Sequence, residues 1–313
     1  MIKKYSNAAT ATPCRKKYKI AYYVFVAIAL AYPLIRFLIV WGYVNISAIW
    51  SSFTRYDILR DKNIFVGFLQ YRLVLNKFIN DEGTQKMLLN SFMYFPVTCF
   101  ISLPLSILFS YFLYKKVPGG GIFRVIFYLP SILPIAVLTM AFRFAFGPDG
   151  FIDPILIRLG ITPPLWFGSS TLTPIMIFFY CVWAGLGFNI VLFSGAMSRV
   201  PIEISEYSKL EGVGYTRELL QIMIPLIWPT IVTTFVLGMS SVLTVYLQPY
   251  FLMGSNSAPT YGRTISLDIF NSYSSEMQAP YLAAFGLFCT ICYVPVILLV
   301  RGFMTRFFKD VAY

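Results

Sequence analysis

The feature that most constrains this chain is a set of six long apolar runs that contain no Asp or Glu. They lie at roughly 20–43, 87–114, 125–146, 171–197, 226–252 and 278–302, and all 13 carboxylates fall between them or in the tail. A helix needs ~20 mostly apolar residues to cross the hydrocarbon core. In lipid, every backbone N–H and C=O has to be satisfied within the segment, which leaves helices or a closed barrel. Runs of this length predict an all-α polytopic membrane protein with six transmembrane helices. Charged residues make up 12% of the chain and apolar residues 58%. A soluble domain carries about twice that charge. The run at 87–114 is longer than one crossing needs, so tilt is expected.

Domain organisation follows from these runs: a basic segment 1–19, a transmembrane domain 20–302 and a tail 303–313. The net charge of +12 is spread so as to orient the spans. Lys3, Lys4, Arg15, Lys16, Lys17 and Lys19 precede the first run; Lys115, Lys116 and Arg124 follow the second. Arg199, Lys209 and Arg217 follow the fourth, and Arg301, Arg306 and Lys309 end the chain. These 15 lie on one side, against 8 in longer segments opposite. The positive-inside rule makes both termini cytoplasmic. Basic residues so placed form no nucleic-acid stripe.

Catalytic chemistry finds no foothold. The chain has no histidine, and no carboxylate pair or Ser–Lys set falls in or near a span, so no catalytic residue is assigned. Cys289 and Cys292 have a metal-like spacing, but they sit in one apolar run with no second pair. They read as packing residues, and no metal site is expected. Gly119, Gly120 and Gly121 are not followed by the Lys-Ser/Thr of a phosphate loop. Arg36 and Arg143 are ionised groups inside the runs. Such groups are either functional or placed near the membrane boundary to snorkel.

The informative segment is the loop 198–224, S-R-V-P-I-E-I-S-E-Y-S-K-L-E-G-V-G-Y-T-R-E-L-L-Q-I-M-I. Pro201 is suited to open a helix. Ile202 to Glu211 then reads as a short amphipathic helix, Gly212 and Gly214 as a turn, and Tyr215 to Met223 as a second helix. Pro225 marks the return to the membrane. A helix lying on headgroups would carry mostly Lys and Arg. Here Glu203, Glu206, Glu211 and Glu218 outnumber Lys209 and Arg217, which points to a knob that docks on a protein.

Glu206, Gly212 six residues on, and Ile222-Met223-Ile224-Pro225 after nine more resemble the EAA loop. That loop is the hallmark of permeases of binding-protein-dependent ABC importers. Tyr207 and Ser208 stand for its two alanines, Glu211 for Asp, Val213 for Ala and Ile224 for Leu. The maltose-type carbohydrate branch is the most similar. Trp50-Ser51-Ser52-Phe53, Phe65-Val66-Gly67-Phe68 with Tyr71, Gly121-Ile122-Phe123-Arg124 and Tyr128-Leu129-Pro130 resemble its segments in the same order.

The resemblance implies a type I ABC importer permease fold, half of a pathway completed by a second, related permease. It implies two ATPase subunits, which hold the ATP and Mg, and an extracytoplasmic sugar-binding protein. No cofactor is expected on this chain. Glu206, Tyr207, Ser208, Gly212, Ile222 and Pro225 would couple it to the ATPase. In the spans that flank the loop, Trp183, Gly185, Phe188, Asn189, Gly238, Ser241, Tyr246 and Gln248 stand out as candidates for the sugar pathway, and by offset from Glu206 the regions near Gly185–Phe188 and Gly238–Val245 fall where the resemblance implies the sugar site. Gly187 would allow close helix approach. The competing readings are a sodium-coupled secondary transporter and an ABC permease for another polar solute, such as glycerol phosphate. Spans without carboxylates speak against proton coupling.

Overall fold

The computed structural model describes residues 13–148, 150–254, 261–273 and 277–307. Lys3, Lys4, Lys309 and the tail beyond 307 lie outside the described residues. Helix begins at Pro13 and continues without a break to Ser52, and its apolar stretch Ala21–Ser52 is α1. Pro33 cannot donate to the carbonyl of Ala29, and a wider π turn at Phe37–Gly42 follows it. The first span therefore runs nine residues past its expected end. Asn45 folds its amide back onto the carbonyl of Trp41 at 2.6 Å, so its polar group does not interrupt the helix.

The connection that follows holds structure not expected of an all-α chain. Strands β1 (Thr54–Asp57) and β2 (Lys62–Phe65) form an antiparallel hairpin that pairs Thr54 with Phe65. Helix α2 (Leu69–Asn80) then packs back. The short stretches singled out in the sequence meet here: Ser52 Oγ lies 2.8 Å from Tyr71 Oη, and Phe53 sets its edge against Phe68. Gln70 donates to the carbonyl of Thr54 at 2.9 Å.

Asp81 caps α3 (Glu82–Tyr114) by accepting from the Thr84 N–H at 2.9 Å. The expected third span, 125–146, is two helices. Helices α4 (Gly120–Ile132) and α5 (Ile135–Phe146) meet at 108°. Pro134 is the cause, since it forces the preceding Leu133 out of the helical region (φ −73°, ψ 142°). Short α6 (Ile152–Arg158) leads to α7 (Leu172–Met197), the fourth span.

The loop folds as α8 (Ile202–Leu210) and α9 (Tyr215–Leu226). Helix α10 (Trp228–Leu243) leaves α9 at 79°, where Pro229 in its first turn withholds an N–H from Pro225. The expected run 226–252 breaks again at 244–246, before α11 (Leu247–Met253). Pro249 frees the carbonyl of Val245, and Thr264 Oγ1 satisfies it at 2.8 Å. Ser266 Oγ does the same for Leu243 at 2.6 Å. These two side chains flank the start of α12 (Ile265–Ser272); α13 (Ala279–Met304) is the final span.

Among the described residues, four helices are long and apolar enough to cross a membrane, or up to six if each bent pair is one crossing. The central contact is α3 against α7. Ser106 and Ser110 on α3 are fully buried, each bonded to the carbonyl four residues back at 2.6 Å. Small side chains that satisfy themselves let two helices approach closely in lipid, where burial of apolar surface drives nothing. Gly187 on α7 meets α4 in the same way: a Cβ there would run into the Phe127 carbonyl and lie 2.8 Å from Ser131 Oγ.

Candidate functional site

Two places hold the residues singled out in the sequence. The first is the knob made by α8 and α9. Gly212 closes α8 in the left-handed region (φ 72°). Its N–H bonds the carbonyl of Lys209 at 3.1 Å, and that of Val213 reaches Ser208 at 2.9 Å. This is the Schellman pattern, which favours glycine because no Cβ opposes it. Gly214, expected to share the turn, has extended backbone (φ −69°, ψ 155°) that any residue adopts.

Glu206 and Tyr207 stand exposed on α8, beside Glu203, Lys209 and Leu210. Ser208 turns inward and donates to the carbonyl of Ser205 at 2.9 Å. Ile222 and Pro225 are half-buried on α9. Below them, Tyr111 of α3, Phe193 and Met197 of α7, and Leu219 and Met223 of α9 form one apolar core that seats the knob.

Glu218 departs from its expected place. It reads in the sequence as part of an acidic docking surface, yet its side chain is 1% exposed. Lys115, at the end of α3, lies 2.5 Å from Glu218 Oε1. Ser205 Oγ donates to the same oxygen at 3.0 Å, and Tyr111 Oη donates to Oε2 at 3.0 Å. Burial pushes the Glu218 carboxyl up, but the bonds from Lys115, Ser205 and Tyr111 and the Lys115 charge outweigh it and hold it below its ordinary value of 4.5.

The second place is a cavity of about 310 Å³ between α3, the α4–α5 bend, α7 and α10–α11. Gly185, Ser241 and Gln248, three of the expected pathway residues, line it with Tyr94, Thr98 and Tyr180. Gly185 leaves open space where a side chain would stand. Two buried polar atoms in this wall, Tyr180 Oη and Gln248 Oε1, have no hydrogen-bond partner among the described residues. Such groups cost free energy when left unsatisfied. Both are closed off in the cavity as it stands, so a polar guest meets them as the side chains turn toward it.

The other expected pathway residues lie elsewhere. Tyr246 lines a larger cleft of about 900 Å³ with Tyr250, Arg263 and Phe270. Trp183 stacks on Phe142 at 5.9 Å, inside an aromatic cluster. Phe188 is exposed and Asn189 half-buried, outside the cavity wall. Gly238 serves helix approach: a Cβ there would come within 3.0 Å of Cys99 Sγ on α3. Tyr180 was missed because one tyrosine among 22 carries no signal of its own. Of the two arginines singled out in the apolar runs, Arg36 is exposed on α1, and Arg143 ends α5 beside Gly254. Cys289 is buried and Cys292 exposed, both free, and among the described residues no cluster suits a metal.

A knob of two short helices at one end of a bundle of bent spans, with, deeper inside, a mostly apolar cavity that carries a few polar groups, is the architecture of an importer permease. The family described as binding-protein-dependent transport system inner membrane component matches residues 102–313, and the chain belongs to it. It is 26% identical over 270 residues to the arabinooligosaccharides transport system permease protein AraP of Bacillus subtilis, covering 85% of this chain and 83% of that one. It is 23% identical over 223 residues to the lactose transport system permease protein LacF of Rhizobium radiobacter, covering 70% and 73%. The fold matches a crystal structure of a bacterial ABC transporter involved in the import of the acidic polysaccharide alginate. The TM-score is 0.79 at 16% identity, over 94% of this chain and all of that one. The same fold recurs, at a TM-score of 0.78, in that transporter with a pentasaccharide-bound periplasmic protein. This is therefore an inner-membrane permease subunit with no catalytic role, working with a binding protein.

Proposed function

We propose that this chain is half of the pathway of a sugar or oligosaccharide importer, paired with a second permease and driven by two ATPase subunits that hold the ATP and Mg. Relatives named for arabinooligosaccharide and lactose transport support the sugar. The observation that carries the reading is the cavity wall, where Tyr180 Oη and Gln248 Oε1 stand unpartnered next to the open space at Gly185. A sugar hydroxyl donates and accepts, so it would satisfy both atoms, while the ring of Tyr94 in the same wall offers apolar contact to the C–H groups.

The knob lies at the cytoplasmic face with both termini. Glu206 and Tyr207 enter a cleft of the ATPase, the Gly212 turn sets the angle of the knob, and Ile222 and Pro225 anchor it. ATP-driven closure moves the knobs and opens the cavity to the side where the sugar-loaded binding protein docks; hydrolysis resets it. Such a cycle needs an element with two positions that the nucleotide states favour differently.

The test is co-purification of the chain, expressed with its neighbouring genes, as wild type, Glu206→Ala and Gly212→Pro. Wild type is expected to bring down an ATPase whose hydrolysis the sugar-loaded binding protein stimulates, and the variants to lose that stimulation. Absence of any ATPase, or full stimulation in both variants, refutes the proposal.

A further inference from the structure

We propose that Glu218 is a positioning residue for coupling: it ties both knob helices to the end of α3, so that movement of the knob reaches the second span directly. The inference rests on the ATPase-docking role proposed above. The loop is covalently continuous with α7 and α10, which receive its motion through the chain. Helix α3 is not. It meets the knob through apolar packing and through one polar knot, in which Glu218 of α9 holds Lys115 and Tyr111 of α3 and Ser205 of α8. Lys115 also donates to Ser205 Oγ at 2.8 Å, so each of the three helices touches the other two through polar atoms.

Apolar contact is non-directional and lets helices slide. A buried ion pair with directed hydrogen bonds does not, because breaking any of its bonds leaves a desolvated charge. Lys115 is 10% exposed and Glu218 1%, so water does not stand in for a lost partner. Helix α3 also carries Tyr94 and Thr98, which line the cavity, and Tyr94 lies about 30 Å along the helix from Lys115 at 1.5 Å per residue. The knot thus joins the knob to one continuous helix that passes the proposed sugar site, with a π turn at Val97–Ser102 on the way. Among coupling routes, this one has a stated physical element rather than mere intermediacy.

The experiment uses the whole complex with its ATPase and binding protein, and reads the ratio of stimulated to basal ATP hydrolysis together with the melting temperature. Four forms are compared with wild type: Glu218→Gln, Lys115→Met, Lys115→Arg, and the double Lys115→Met/Glu218→Leu. The two single neutralisations are expected to lower the ratio at least about fivefold, and Lys115→Arg, which keeps the charge, to retain it within about twofold. The double variant is decisive, because a matched apolar pair packs well even where a single unpaired charge would unfold the chain. It is expected to assemble and melt as wild type does, yet stay uncoupled. A double variant with the wild-type ratio overturns the inference, since packing alone would then suffice. If the binding protein does not stimulate even the wild type, the functional reading beneath the inference falls instead.

Discussion

Two glycines on α7, two residues apart, give a measurement of helix packing in which helix propensity cancels. Gly→Ala inside a helix is stabilising by roughly 0.5–1 kcal/mol, and Gly185 and Gly187 share this gain. They differ in what a methyl group meets. At Gly185 nothing lies within 4 Å; at Gly187 the methyl collides with the backbone carbonyl of Phe127 and comes to 2.8 Å from Ser131 Oγ. A carbonyl on a packed helix cannot rotate away as a flexible side chain does, so α4 and α7 have to separate. Overpacking of this kind costs about 1–3 kcal/mol. Gly185→Ala should therefore exceed Gly187→Ala in stability by about 1–3 kcal/mol. Denaturant unfolding of the purified complex in detergent, followed by tryptophan fluorescence, reads that difference. Equal stabilities, or a more stable Gly187→Ala, would refute the claim that Gly187 is present to let α4 approach.

Three further outcomes follow from named contacts. Gly212→Val should cost about 1–2 kcal/mol of knob stability, since its φ of 72° is left-handed, with Gly212→Asn milder; hydrogen exchange over 202–226 measures it. Tyr180→Phe and Gln248→Leu should each cut uptake of labelled oligosaccharide about 5–10-fold while leaving assembly intact, because each removes one polar contact of about 1–1.5 kcal/mol; unchanged uptake would remove the cavity from the pathway. The Glu218 carboxyl is depressed below 4.5, so the stability it lends is complete above that value and lost only as the pH falls through the lower, folded one. The groups facing it are Lys115, Tyr111, Ser205 and, with its ring 5.8 Å from Lys115, Tyr215. Protection of α9 from exchange should accordingly persist from pH 7 to 4.5 in wild type and be weakened throughout that range in Glu218→Gln.

What could be read in the sequence is what depends on neighbours along the chain. The spans, the Gly212 turn and the two helices of the loop follow from local composition and from one residue's freedom at φ 72°. The places where reading stopped short depend on contacts across the fold. Pro134 is legible as a kink, but whether it bends or breaks the helix is set by what packs around it, and here it breaks. Glu218 looks like any loop glutamate until α3 supplies Lys115 from 103 residues away. One local sign does exist: Leu219 and Leu220 follow it, and an acid at the edge of an apolar stretch asks for a partner. Of the pathway residues, small and polar character in the two flanking spans found Gly185, Ser241 and Gln248, which share one wall, but not Tyr180. Gly238 and Trp183 are packing groups whose role emerges only with Cys99 and Phe142 in place.

The long first helix differs from its fellows in what surrounds it. In the most apolar window of α1 no residue is sheltered by the rest of the chain, whereas a third of the corresponding window of α3 is. The serines buried in α3 make sense only once α7 has arrived. Helix α1 asks for nothing of the kind. Its backbone ladder satisfies its own polar groups, so it is stable in the bilayer as soon as it enters, before any other span exists. It works as a mooring. Its last turns, Tyr43–Ser52, lie against α13, and Ser52 reaches Tyr71, so the bundle is made fast to it at that end.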